Sequence, residues 1–124
     1  MLPLKHRLPL RLFRHQVESH AQTFRSPLFT LLVAHRLPTD DHGLTIDDHR
    51  PSRFAIILSK KISNQATIRN RLRRQTLATI QEHLLLIKPG FDIIILANKP
   101  LSTATYDQIN SAINSQLRQS GLIT

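Results

Sequence analysis

RFAIILSKKISNQATIRNRLRRQTLATIQEHLLLIKPGFDIIILAN, residues 53–98, opens and closes on apolar runs of strand length. Both runs, RFAIILS (53–59) and FDIIILAN (91–98), are rich in β-branched residues, which predicts interior strands. Between them Ile68, Leu72, Thr76, Thr79, His83 and Ile87 recur at steps of three and four, the spacing of one helix face turned toward a sheet. Thr67 stands where a helix cap is needed, the helix is expected to reach Ile87, and Lys88-Pro89-Gly90 is a stop and turn into the second strand. A strand, a helix and a strand in succession predict a helix layered on a sheet, the arrangement of an α+β domain.

Working outward, Pro9, Leu10, Phe13, Val17 and Ala21 have helical spacing, so residues 9–21 are expected to form an amphipathic helix with proline near its first turn. Arg25-Ser26-Pro27 is turn-like, and LFTLLVAH (28–35) is an apolar run of strand length with no helix cap. Residues 36–52 are rich in Asp, Pro, Gly and Ser and are expected to be an exposed loop, with Leu44–Ile46 as a candidate extra strand. A last helix begins near Thr103–Thr105, carries Tyr106, Ile109, Ile113 and Leu117 on one face, and meets Gly121, a residue suited to a left-handed helix end. The expected order is α-β-β-α-β-α in a single domain spanning residues 1–124.

Charge carries the strongest global signal. Seventeen Lys and Arg face eight Asp and Glu, and a net charge of +9 points to a polyanionic partner, nucleic acid ahead of an anionic membrane surface. The imbalance is local: from Arg50 to Gln81 the chain has no acidic residue, while Asp40, Asp41, Asp47 and Asp48 crowd the preceding loop. Arg69, Arg71, Arg73 and Arg74 surround Asn70 in six positions. A solvated helix face ordinarily mixes signs and gains from acidic partners four residues away, and none is present here. Crowding guanidinium groups near the positive end of a helix dipole is unfavourable until an anion neutralises them, so the cluster reads as a phosphate-binding surface. Lys60 and Lys61 extend it, and Asn70 adds a group able to donate and to accept.

The remaining chemistry is thin. With no cysteine, disulfides, thiolate metal sites and cysteine nucleophiles are excluded. No apolar run approaches the roughly 20 residues needed to span a bilayer, and the interleaved start MLPLKHRLPLRLFRH has no unbroken export segment. A cytoplasmic protein without a membrane partner is expected. Asp40-Asp41-His42 and Asp47-Asp48-His49 contain metal-binding side chains, but nothing in their spacing fixes a geometry, and they read as a solvated turn. No catalytic triad, paired catalytic carboxylates or phosphate-binding glycine loop is present, so no catalytic residue is assigned.

The run from Ser52 to His83 and the following KPGFDIIILAN resemble the protein subunit of bacterial ribonuclease P. In that family a strand ending in SKK leads into a helix opening Arg-Asn-Arg, followed by a paired basic dipeptide and a later PG-[FY]-D strand. RSPLFTLLV and the final helix extend the likeness over most of the chain. The resemblance implies a two-layer α/β sandwich with a left-handed β-α-β crossover, a fold shared with some ribosomal proteins. It implies a helper role in which a catalytic RNA with bound Mg²⁺ removes the 5′ leader of precursor tRNA, no further protein partner being required. Lys60, Lys61, Arg69, Asn70, Arg71, Arg73 and Arg74 match the surface that contacts the catalytic RNA. Phe13, Val17, Phe29, Thr30, Leu32 and Lys61 match a cleft that holds the single-stranded leader. The chain departs from the family pattern at Ala55 and Ser63, where glycine is common, at Arg73, where lysine is frequent, and at Val17 and Leu32, where aromatics often stand. Two other readings fit the composition. One is a ribosome-associated RNA-binding protein or RNA chaperone on the same fold, and the other a metal-dependent nuclease acting through the Asp-Asp-His pairs.

Overall fold

The computed structural model of the chain describes residues 2–36 and 50–123. The Leu44–Ile46 strand and both Asp-Asp-His tripeptides lie outside these residues. The elements run α1 (Leu10–His20), β1 (Gln22–Arg25), β2 (Phe29–His35), β3 (Arg53–Ile57), α2 (Ala66–Glu82), β4 (Phe91–Ala97) and α3 (Tyr106–Gln119). The strands form one sheet in the order β1-β2-β4-β3, with β3 and β4 parallel across the α2 crossover and the other pairs antiparallel. Among the described residues no helix is long and apolar enough to cross a membrane.

The central strand β4 explains the core. Ile93, Ile94 and Ile95 are all buried, as an unbroken apolar run must be when both faces of its sheet are covered. On one face Phe29, Leu31, Val33, Phe54, Ile93 and Ile95 meet Leu72 and Ile80 of α2 and Ile109, Ile113 and Leu117 of α3. On the other, Ala34 and Ile94 pack against Val17 of α1. The main sandwich is therefore the sheet against α2 and α3, with α1 laid across the opposite side.

Three expectations need correction. β1 is an additional strand: Gln22-Thr23-Phe24-Arg25 offers one apolar residue and overlaps the expected Arg25-Ser26-Pro27 turn, yet it pairs along β2, and Ser26, Pro27 and Leu28 connect the hairpin. Among the described residues β3 is an edge strand, flanked only by β4 and by a bridge from Arg7 to Phe54. Of its residues only Phe54 is fully buried, the rest of the strand being half-buried. Helix α2 stops at Glu82, with His83 as the residue after it, and Leu84–Leu86 form a tighter 3-10 turn. The chain must reverse there, because Lys88 N–H donates to Leu122 O (2.8 Å) and Gly90 N–H to Arg50 O (2.8 Å). Gly90 makes the reversal with φ of 91°, a backbone region that disfavours any side chain.

Helix α3 has the most completely closed ends. Thr105 Oγ1 accepts from Gln108 N–H (3.2 Å) while Gln108 Oε1 accepts from Thr105 N–H (2.9 Å), a reciprocal capping box. At the other end Gly121, at φ 79°, lets Leu122 N–H reach Leu117 O (3.0 Å) and carries Leu122 into the core. Thr105→Ala is expected to lower stability by about 1 kcal/mol, read as a lower urea midpoint with an unchanged slope. The buried Gln116 amide donates to Phe24 O (3.2 Å) and Phe29 O (3.0 Å), latching α3 to the β1–β2 hairpin.

Candidate nucleic-acid interface

The turn after β3 sets the basic surface. Ser59 Oγ accepts from Lys61 N–H (3.3 Å) and its carbonyl from Ile62 N–H (3.0 Å). Ile62 is buried beneath the turn, leaving Lys60 and Lys61 exposed. The Ser63 hydroxyl then accepts the Gln65 N–H (3.2 Å), and α2 begins at Ala66. Thr67 therefore lies inside the first turn and is not the cap. Gln65 holds the N-cap position without a side-chain bond, and the first turn has no acid. The positive end of the α2 dipole is left open to an anion.

On that turn Asn70, Arg71 and Arg74 are exposed, and Arg69 and Arg73 are half-buried. Arg69 donates to Ser63 O (2.7 Å), fixing one guanidinium over the helix start. Arg73 donates to Asn70 Oδ1 (3.1 Å), so the Asn70 acceptor is engaged and its amide nitrogen remains for a ligand. The ion pairs Arg14–Glu18 and Arg53–Asp92 lie elsewhere. Among the described residues no carboxylate neutralises Lys60, Lys61, Arg69, Arg71, Arg73 or Arg74. Thr67, Asn70, Arg73 and Arg74 border a shallow depression on this surface.

The opposite face of the sheet carries a second feature. Register and alternation place Arg25, Thr30, Leu96 and Ile57 in one row across the four strands, and Thr23, Leu32, Ile94 and Ala55 in the next. Ala34, Asp92 and Arg53 form a third row. α1 seals the far part of this face, with Val17 against Ala34 and Ile94. Arg53 grips Asp92 through two 2.8 Å bonds and lies 4.4 Å from the centre of the Phe13 ring, joining α1 to β3 and β4. Near them burial, and then the charge of Arg53, push the Arg36 guanidinium below its ordinary pKa, with Asp92 acting in the other direction. In the first row Thr30, Leu96 and Ile57 are only half-buried and Arg25 is exposed, which gives an apolar trough with a basic edge.

The proposed cleft residues divide. Thr30 and Leu32 lie on the trough face, and Phe13 stands half-buried at its α1 side with Arg53 against its ring. Val17 is buried under α1 and anchors it. Phe29 does not belong to the cleft: it is fully buried on the other face, in the core shared with α3. Strand alternation forces this, since Phe29 and Thr30 must point to opposite sides. Lys61 follows the end of β3. Because β3 and β4 are parallel, Ile57, Leu96 and the start of α2 share one end of the sheet, and Lys60 and Lys61 lie in the turn between the trough and the basic helix.

Arg25, Ile57, Leu96 and Asn98 are additions that sequence reading missed. Asn98 ties this end together by donating to Ser26 O (2.8 Å), with Thr30 Oγ1 donating to Asn98 Oδ1 (3.3 Å). The Arg53–Asp92 pair had a signal: one carboxylate in an otherwise apolar strand requires a buried partner. Among the described residues no group of three or more His, Asp or Glu side chains is arranged to hold a metal ion.

Comparison with known proteins gives the family and the fold. The family model described as Ribonuclease P matches residues 3–121. The ribonuclease P protein component of Microcystis aeruginosa is 31% identical over 122 residues, covering 98% of this chain and 96% of that protein. The corresponding component of Synechocystis sp. is 40% identical over 76 residues, and there the match spans 61% of this chain and 60% of the relative. Among solved structures, the Staphylococcus aureus RNase P protein superposes with a TM-score of 0.77 at 20% identity, covering 96% of this chain and 98% of that one. The Thermotoga maritima RNase P protein gives 0.72 at 22% identity, covering 90% and 96%. At these identities the two structures support the fold.

Proposed function

The chain belongs to the ribonuclease P protein family, and on that premise we propose that it is the protein subunit of a ribonucleoprotein that removes the 5′ leader of precursor tRNA. The α2 surface of Lys60, Lys61, Arg69, Asn70, Arg71, Arg73 and Arg74 docks the catalytic RNA. The trough of Thr30, Leu32, Ile57 and Leu96, edged by Phe13, Arg25 and Lys61, carries the leader. Mg²⁺-dependent hydrolysis belongs to the RNA subunit in this family, and the protein acts by positioning. The observation that carries this reading is the row of cations on an uncapped helix start with no carboxylate among the described residues to neutralise them.

Two physical effects follow from that layout. Binding leader and catalytic RNA at one end of the sheet converts a loose encounter into a positioned one. Placing fixed cations among crowded phosphates relieves repulsion that Mg²⁺ or salt must otherwise screen. The direct test is cleavage of a precursor tRNA by a bacterial ribonuclease P RNA at low Mg²⁺, with and without the protein, beside a protein-only control. Activation requiring both components is expected. Tight binding without activation would favour an RNA chaperone, and cleavage by the protein alone would favour a metal-dependent nuclease.

The two surfaces are expected to separate. Arg74→Ala should weaken assembly with the RNA subunit roughly tenfold, in keeping with loss of one charge-assisted contact, and leave leader affinity unchanged. Leu96→Glu places a carboxylate where the leader phosphates pass and should do the reverse by a similar factor. Fluorescence titrations of catalytic RNA and of leader-bearing tRNA measure both, and equal losses in the two assays would join the surfaces into one.

A further inference from the structure

We propose that a pocket beside the basic helix receives an unstacked nucleobase of the docked RNA, a proposal that rests on the docking described above. The pocket, of about 250 Å³, lies between the N-terminal segment, the outer edge of β3 and α2. Its volume corresponds to on the order of eight waters at liquid density, room for a purine ring. Leu2, Phe54, Ile56 and Leu77 give it an apolar lining. Arg7, exposed, and Arg73, half-exposed, stand at its mouth. Both guanidinium groups are held in place, Arg7 Nε by Leu2 O (2.7 Å) and Arg73 by Asn70 Oδ1 (3.1 Å).

Two observations favour a nucleotide over an apolar side chain. The first is continuity: Arg73 lines this pocket and also the depression formed with Thr67, Asn70 and Arg74, so a phosphate track along α2 passes the mouth. The second is the strand edge. The N-terminal segment pairs with β3 only at Phe54, where Leu8 N–H donates to Phe54 O (2.9 Å). Outward-pointing backbone groups alternate along an edge, so the next outward pair is the N–H and C=O of Ile56, on the pocket wall. An adjacent donor and acceptor beside an apolar slot, with two cations at the entrance, match the edge, face and phosphate of a nucleotide.

The test uses the intact protein followed by amide NMR, titrated to millimolar concentration with adenosine 5′-monophosphate or with ribose 5-phosphate. Adenosine monophosphate is expected to shift Leu2, Ala55, Ile56 and Leu77 saturably, whereas ribose phosphate shifts only the Arg69–Arg74 surface. In a second arm Leu77→Trp, which fills the pocket, should weaken catalytic-RNA binding roughly tenfold with leader affinity unchanged. If adenosine monophosphate leaves the pocket amides in place, or if folded Leu77→Trp binds the RNA like the parent protein, the pocket is not a base site although the docking surface stands. Should Leu77→Trp fail to fold, the wild-type titration decides alone. A wild-type protein that does not bind the RNA at all would instead remove the function on which the proposal rests.

Discussion

Raising salt from 50 to 200 mM is expected to weaken the complex of this protein with a ribonuclease P RNA by roughly three orders of magnitude if about six phosphates are contacted. The number follows from the surface. Lys60, Lys61, Arg69, Arg71, Arg73 and Arg74 have no neutralising carboxylate among the described residues, so each displaces a condensed counterion when it meets a phosphate. A plot of log affinity against log salt should then have a slope near −5, and removing one cation by Arg74→Ala should flatten it by about one. A flat profile would mean that the cations are solvated in the complex and that the α2 surface is not where RNA binds. A steep slope that Arg74→Ala leaves unchanged would move the contact to another basic region of the protein.

The features legible in the sequence are those fixed by local chemistry. The strand-helix-strand unit rests on two apolar runs and one helical stripe, the start of α3 on the threonines at 103 and 105, and two chain reversals on Gly90 and Gly121. The arginine cluster was equally plain, because its significance lies in the absence of nearby acids along the chain. What failed needed partners distant in sequence. Nothing in Gln22-Thr23-Phe24-Arg25 indicates a strand until β2 supplies its hydrogen bonds. Ile57 and Leu96 look like core residues, and only their register beside Thr30 and Arg25, beyond the reach of α1, leaves them half-exposed. The end of α2 was set by hydrogen bonds from Lys88 to Leu122 and from Gly90 to Arg50, partners distant in sequence, which override the helical period that continues to Ile87.

Phe29→Ala tests the correction that changes the leader trough most. LFTLLVAH is apolar on both faces, so alternation in the sequence cannot say whether Phe29 or Thr30 faces α1. The fold decides it, burying Phe29 completely against the core shared with α3, where its carbonyl also receives the Gln116 amide. Truncating such a side chain leaves a cavity and is expected to cost about 3–5 kcal/mol, a large share of the roughly 5–15 kcal/mol that holds a domain together. Urea denaturation should therefore show a much lower midpoint, while the folded fraction keeps its affinity for leader-bearing tRNA. Thr30→Val, on the opposite side of the same strand, should cost no more than the about 0.5–1.5 kcal/mol of its hydrogen bond to Asn98 and fall instead on leader binding, since it removes a hydroxyl from the trough. If Phe29→Ala kept its midpoint and lost leader affinity, β2 would have to be turned over relative to its neighbours. Thr30 and Leu32 would then exchange places with Phe29, Leu31 and Val33, because a one-residue slip in register reverses both faces of a strand at once.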